Sequence, residues 1–367
     1  MLRTFATRWL CWLLNRSVVQ RGIEDVVVRS LPSPAVAPPG FLPNQRFVGK
    51  SLESRKDSPI FVTSRFRSGS TLLWRCFRES CSFTAYYEPL NERRWFDLRS
   101  RGDRVDATHR DVQDYWREYD QLASTPVPWS DRWASHELYL SPQLSHDTLD
   151  QYLRLLIDKA PGRALLQFNR IDFRLHWLRL RFPDAVLLHL VRNPRDQWLS
   201  TFLRGSPVGK TARVSGFSRF DEFYLLAWAR DLRRWFPVLG EIDDMHPFEL
   251  SYLVWSMSNR YGRNFADLTI CYEELVSEPE QSLELVGSVC GCTGLNETGI
   301  AQTIDARRVG RWRDYADDAW FSARERRIDR LLECTVFRHG SCDFNVEVKR
   351  QCPSLSNDGS FGQSEGN

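Results

Sequence analysis

No apolar run in this 367-residue chain reaches the ~20 residues needed to span a bilayer. The opening M-L-R-T-F-A-T-R-W-L-C-W-L-L-N-R is interrupted by Arg8 and lacks a small-residue cleavage site, so no secretory signal is expected. Its first ~20 residues leave two readings: a helix packed on its own domain, or a basic amphipathic helix in weak contact with a membrane surface. Charge of one sign is missing too. A net charge of +3 gives no argument for a nucleic-acid partner, while leaving room for local basic clusters that hold small anions. The nine cysteines are scattered, and the one close pair, Cys290-Gly291-Cys292, lacks the spacing of a zinc knuckle. Reduced thiols in a cytoplasmic protein are expected. Internal repeats and low-complexity segments are absent from the body of the chain.

What is present is the composition of an ordinary globular protein, 42% hydrophobic and 26% charged, long enough to bury a sizeable core. The Pro-rich stretch from Pro32 to Pro43 reads as an extended strap, and the Ser/Gly/Asn-rich tail from Pro353 as disorder. The division expected is an N-terminal helix and strap over 1–45, one domain over 46–350, and a disordered tail over 351–367. Short, nearly continuous apolar runs predict strands at Ile60–Ser64, Ser82–Tyr87, Ala164–Phe168, Ala185–Val191 and Leu268–Tyr272. Helical patterns fall between them, at Ser70–Cys81, Thr148–Lys159, Pro194–Arg204, Asp221–Trp235, Pro247–Asn264 and Pro279–Val289. This alternation predicts a three-layer α/β fold with a parallel sheet between helices. Binding residues should then gather at the carboxyl ends of the strands.

Two strand-to-helix turns carry a conflict. In F-V-T-S-R-F-R-S-G-S-T-L, Arg65 and Arg67 precede a helix that Ser70 or Thr71 could cap. In R-N-P-R-D-Q-W-L-S, Arg192 and Arg195 crowd a helix whose cap is Asn193, with Asp196 placed to close a capping box. Cations are disfavoured at a helix N-terminus. An ordinary capped turn explains the caps and leaves the arginines unexplained, whereas a bound anion resolves the conflict. Two such turns on one sheet edge call for a ligand with two separated anionic groups. A nearby G-S-P-V-G-K-T, Gly205–Thr211, imitates a triphosphate-binding loop. It is one residue short and follows a helix instead of a strand, so a P-loop kinase is not supported.

These segments resemble the sulfotransferases that use 3′-phosphoadenosine 5′-phosphosulfate. R-S-G-S-T-L at Arg67–Leu72 is similar to the family's 5′-phosphosulfate loop, and R-N-P-R-D-x-x-x-S at Arg192–Ser200 to its 3′-phosphate motif. C-Y-E-E-L-V-S-E-P at Cys271–Pro279 is similar to its Y-E-D-L-x-x-D-P segment, and R-R-V-G-R-W at Arg307–Trp312 to its late glycine loop over the nucleotide. The four occur in the family's order over roughly Phe47 to Leu332. The resemblance implies a P-loop-like fold and a donor whose product is adenosine 3′,5′-bisphosphate. It implies that Arg67 holds the 5′-phosphate and the sulfuryl oxygens, wrapped by Ser68, Gly69, Ser70, Thr71 and Leu72. Arg192 and Ser200 would hold the 3′-phosphate, Tyr272 would approach the adenine, and Arg307, Arg308, Gly310, Arg311 and Trp312 would close the site. The basic residues before Gly310 are displaced from the family pattern, and Leu72 stands where cytosolic members place an adenine-stacking Trp.

Cytosolic members take their base from a K-T-H segment after the third strand. Here Q-F-N-R puts Asn169 at that place, followed by Arg170, both expected near the acceptor. The glycan-modifying branch uses a carboxylate after the second strand, and Y-Y-E-P-L offers Glu88, with Asp172 in reserve. Glu88 would take the acceptor's proton during in-line attack on sulfur, and Arg67 would stabilise the leaving oxygen. A sulfuryl group carries less charge than a phosphoryl group, so neither a magnesium ion nor any metal site is expected. The insert at about 91–144 carries Trp95, Trp116, Trp129 and Trp133, which either stack on an acceptor sugar or pack the insert's own core. A cytoplasmic carbohydrate or glycolipid acceptor is expected. A non-catalytic nucleotide- or glycan-binding module is the remaining alternative.

Overall fold

The computed structural model describes residues 56–336 apart from 81, 102–111, 113, 144, 203–206 and 296–308. The strap, the tail, Gly205, Arg307 and Arg308 therefore lie outside the described residues. Five strands form one parallel sheet: β1 (Ile60–Ser64), β2 (Phe83–Tyr87), β3 (Arg163–Phe168), β4 (Val186–Val191) and β5 (Leu268–Cys271), in the order β2-β3-β1-β4-β5. Each strand begins and ends within one residue of its apolar run. Every residue of β1 and β4 is buried, because helices cover both faces of the sheet and leave no solvent side to alternate with.

The helices are α1 (Ser70–Arg78), α2 (Asp147–Asp158), α3 (Leu175–Arg181), α4 (Pro194–Leu199), α5 (Leu225–Leu232), α6 (Pro247–Phe265), α7 (Tyr272–Ser277), α8 (Pro279–Cys290) and α9 (Asp318–Val336). Three are shorter than their sequence pattern, α1 by its last turn and α4 and α5 by more. α4 stops at Leu199 because the hydroxyls of Ser200 and Thr201 donate back to the carbonyls of Gln197 and Trp198, both at 2.7 Å. α5 starts at Leu225 because the Asp221 carboxylate accepts the N–H groups of Leu225 and Leu226, each at 2.8 Å. The segments α3, α7 and α9 carry no helix in the sequence reading.

The sheet's amino edge is fastened by Arg163, which donates to the carbonyls of Ser58 and Cys290 at 2.6 Å each. At the centre, α6 lies so close to β4 that a Cβ added at Gly262 would overlap the ring of His189. Among its described residues, the insert forms short 3-10 turns at Arg117–Leu122 and Asp131–Ala134.

Candidate active site

With all five strands parallel, the turns that follow them share one edge. The chain winds from β1 towards β2 and β3, then crosses to β4 and β5, so the crevice between β1 and β4 is the topological switch point. The two cationic turns flank this crevice and are bonded to each other. Arg192 Nη1 donates to the carbonyl of Arg67 at 3.0 Å, and Arg67 Nε donates to the carbonyl of Ser200 at 3.0 Å. Gln197 Nε2 adds a bond to the carbonyl of Phe66 at 2.6 Å. Segments 125 and more residues apart thus form one unit.

Gly69 opens α1 with φ +94°, and the Tyr272 ring lies where its Cβ would be. Only glycine permits both that backbone and that approach. The Arg192 guanidinium stacks over the same ring, 4.5 Å from its centre. Ser70 and Thr71 do not cap α1. Ser70 Oγ donates to Asn169 Oδ1 at 3.2 Å, Thr71 Oγ1 meets the Tyr87 hydroxyl at 3.2 Å, and no side chain caps the helix. Ser68 Oγ donates to the Arg65 carbonyl at 2.8 Å and Leu72 is buried, so both shape the turn from within.

Two of the four arginines serve the protein itself. Arg65 stacks on Trp228 at 4.4 Å, with Nη1 4.0 Å from Asp172, and burial pushes its guanidinium down to about 10. Asp172 accepts the hydroxyls of Thr63 and Ser258 at 2.6 and 2.7 Å, and burial raises its pKa. The reserve base is therefore a core partner of Arg65. Arg195, 1% exposed, is clasped by Glu325 and Asp318 of α9, both at 2.7 Å. The capping box also fails to form. The Asn193 side chain caps α4, but its backbone N–H goes to Glu273 at 3.0 Å. Asp196 instead accepts the N–H groups of Gly310 at 2.6 Å and Trp312 at 3.0 Å. That docks the late turn on α4, with Arg311 exposed and the Trp312 ring buried between Arg195 and Arg313.

Glu88 follows β2 and is 6% exposed, in a left-handed backbone conformation with φ +39°. Its Oε1 accepts from the Asn169 amide, and its Oε2 accepts from Asn91 at 2.7 Å and Arg170 at 2.8 Å. Asn169 Oδ1 in turn receives Ser64, Ser70 and Gln167 at 3.0, 3.2 and 3.0 Å. One amide therefore links Glu88 to the start of α1. Arg170 is shared with Glu92 at 2.7 Å, and Glu92 accepts the Tyr224 hydroxyl at 2.6 Å. Asn169 and Arg170 are buried holders of Glu88 rather than an open acceptor surface.

Trp95 and Trp133 are 4% exposed each. Trp133 stacks on Tyr152 at 5.6 Å and Trp95 tilts against Tyr115 at 5.7 Å, so they pack the insert and offer no face to a sugar. Aromatic walls beside the Arg67 turn come from elsewhere. A small, narrow pocket there is lined by Phe66, Gln197, Phe217, Phe220, Phe223 and Trp255. Sequence reasoning missed this pocket, Glu92 and Tyr224. The only local signal was the F-S-R-F-D-E-F-Y aromatic spacing at Phe217–Tyr224.

A family model described as the sulfotransferase family matches residues 59–253, over half of the chain. Curated protein sequences yield no match. Among solved structures, the chain is similar to a sulfotransferase from Alicyclobacillus acidocaldarius, at 15% identity and TM-score 0.38, covering 77% of this chain and 97% of that one. It is also similar to the sulfotransferase domain from the curacin biosynthetic pathway, at 14% identity and TM-score 0.37 over 81% and 98% of the two chains. Sulfotransferase STF9 from Mycobacterium avium matches at 14% identity and TM-score 0.35 over 77% and 78%.

Proposed function

The chain belongs to the sulfotransferase family, and from that premise we propose that it moves a sulfuryl group from 3′-phosphoadenosine 5′-phosphosulfate to a hydroxyl of a carbohydrate or glycolipid in the cytoplasm. The observation that carries the donor assignment is the mutual bonding of the Arg67 and Arg192 turns around Gly69 and Tyr272. One anion at each turn, joined through a nucleoside that lies on Tyr272, matches the chemistry of this donor.

The donor supplies an activated sulfuryl group; the remaining work falls to the chain. Arg67 holds the 5′ end and answers the charge that develops on the bridging oxygen. Arg192 and Ser200 hold the 3′-phosphate. Glu88 takes the acceptor hydroxyl's proton, its carboxylate aimed by Asn169, Asn91 and Arg170. The Asn169 link to Ser70 keeps base and donor turn in register, which is where positioning contributes to rate. The acceptor class rests on the Y-E-P-L likeness around Glu88. The half-buried rings of Phe66, Phe220 and Phe223 beside the Arg67 turn are the aromatic faces nearest to that site.

Calorimetric titration with adenosine 3′,5′-bisphosphate, ADP and ATP tests the donor site. The bisphosphate is expected to bind tightest, and Arg192→Ala to weaken it by about tenfold or more, the worth of a charged hydrogen bond. Preference for ATP, or no change in the variant, would sink the reading.

A further inference from the structure

Asp196 is misplaced by simple electrostatics. It lies between Arg192 and Ser200 in sequence, and its charge opposes an anion held by those two residues. Its neighbourhood gives it another task. Both carboxylate oxygens accept backbone N–H groups from a distant turn, Oδ2 from Gly310 at 2.6 Å and Oδ1 from Trp312 at 3.0 Å. The turn is fitted to this grip. Gly310 has φ +83°, open to glycine at no steric cost, and a Cβ there would sit 2.6 Å from the Arg313 guanidinium. The Trp312 ring lies between the guanidinium groups of Arg195 and Arg313, 4.5 and 4.4 Å from its centre. Arg195 is fixed in turn by Glu325, Asp318 and Ser322. The residues on either side of Arg311 are therefore immobilised on α4, while Arg311 itself is exposed. The family match ends at residue 253, and the likeness of this turn to the family's late glycine loop implies that it closes the site without saying what holds it there.

We propose that Asp196 is a positioning residue for nucleotide binding: it docks the Gly310–Trp312 turn on α4 so that Arg311 completes the 3′-phosphate site beside Arg192 and Ser200. The inference rests on the donor assignment above and goes one step deeper, naming how the late turn is delivered. Arg311 touches the ligand; Asp196 acts through it. The two bonds are charge-assisted and made to backbone atoms, so they specify where the turn sits whatever the side chains beyond it.

The test is titration calorimetry with adenosine 3′,5′-bisphosphate and with adenosine 5′-monophosphate, which lacks the 3′ group. Wild type, Asp196→Asn, Arg311→Ala and the double variant are compared, each checked by thermal melting. Asp196→Asn turns an amide N–H towards one backbone N–H, so bisphosphate affinity should fall about tenfold while monophosphate affinity stays within about twofold. Arg311→Ala should lose a similar factor, and the double variant no more than the larger single loss, the signature of two residues acting as a unit. If Asp196→Asn does not fold, Asp196→Glu carries the same comparison, keeping the charge while displacing the carboxylate. Tighter bisphosphate binding in Asp196→Asn would mean that the carboxylate only repels phosphate, and would overturn the proposal. Equal losses for both nucleotides, or additive losses in the double variant, would overturn it too. A wild type that prefers neither the bisphosphate nor its 3′ group overturns the donor reading along with it. A wild type with the preference and an unaffected Asp196→Asn overturns this inference alone.

Discussion

Among the described residues, Arg67, Glu88 and Tyr224 hold left-handed backbone at φ +66°, +39° and +60°, as do Arg94 and Glu137. Such conformations cost on the order of 1–3 kcal/mol each and persist where surrounding bonds over-determine them. Glu88 shows how: three side-chain donors and the Asn91 N–H, at 2.9 Å to its carbonyl, leave it no alternative. Glu88→Gln should therefore remove sulfuryl transfer by about 10²–10⁴-fold, the usual worth of a positioned base. Bisphosphate affinity should hold, and a rate assay beside a titration separates the two. Gly69→Ala places a Cβ in the Tyr272 ring and strains φ +94°. It should lower both the melting temperature and bisphosphate affinity. Cys292 makes a third case. A hydrogen bond from Cys290 lowers its thiol below the ordinary range. Iodoacetamide labelling of Cys292 should thus set in at lower pH than that of a free thiol, and Cys290→Ala should move its midpoint upward.

At the scale of elements, the strands were legible because a strand buried on both faces needs only an apolar run, which a sequence displays directly. The helix ends were not, since α4 and α5 are cut by side chains reaching back to the backbone. The R-N-P-R-D turn shows the limit most clearly. Its spacing satisfies a capping box, yet Asp196 prefers two donors 114 and 116 residues away, which no local pattern can announce. Arg195 is the companion case, read at the sequence level as one of the arginines facing a bound anion and found as the clasp between α4 and α9. Arg195→Ala leaves the half-buried Glu325 without its partner and frees the Trp312 face. It should cost about 1–3 kcal/mol, the range for leaving hydrogen-bonding groups without their partner. Urea denaturation measures it.

At the scale of the whole molecule, the parallel sheet between helices followed from the sequence. The division of labour among aromatics did not, because Trp95 and Trp133 look alike on paper whether they face a ligand or a core. His189 sets one global property. Burial in β4 pushes its imidazole down to about 3, so it is neutral in the fold, while the unfolded chain protonates near the ordinary 6.5. Between those values the unfolded state binds the extra proton. Its contribution is complete above about pH 6.5 and is lost as pH falls, by up to about 1.4 kcal/mol per pH unit. Urea unfolding at pH 7 and pH 5 should show a larger drop in wild type than in His189→Gln.

The Arg163 fastening has a practical side. The proposed site lies where the strands end, while Arg163 knits together where they begin, at Ser58 and Cys290. The two edges of the sheet would then divide the labour, one for ligands and one for fastening. Cys292, two residues beyond that knot and half-buried, is a handle on that side. A fluorophore or surface tether attached there would report on, or immobilise, the whole molecule while leaving the proposed site open.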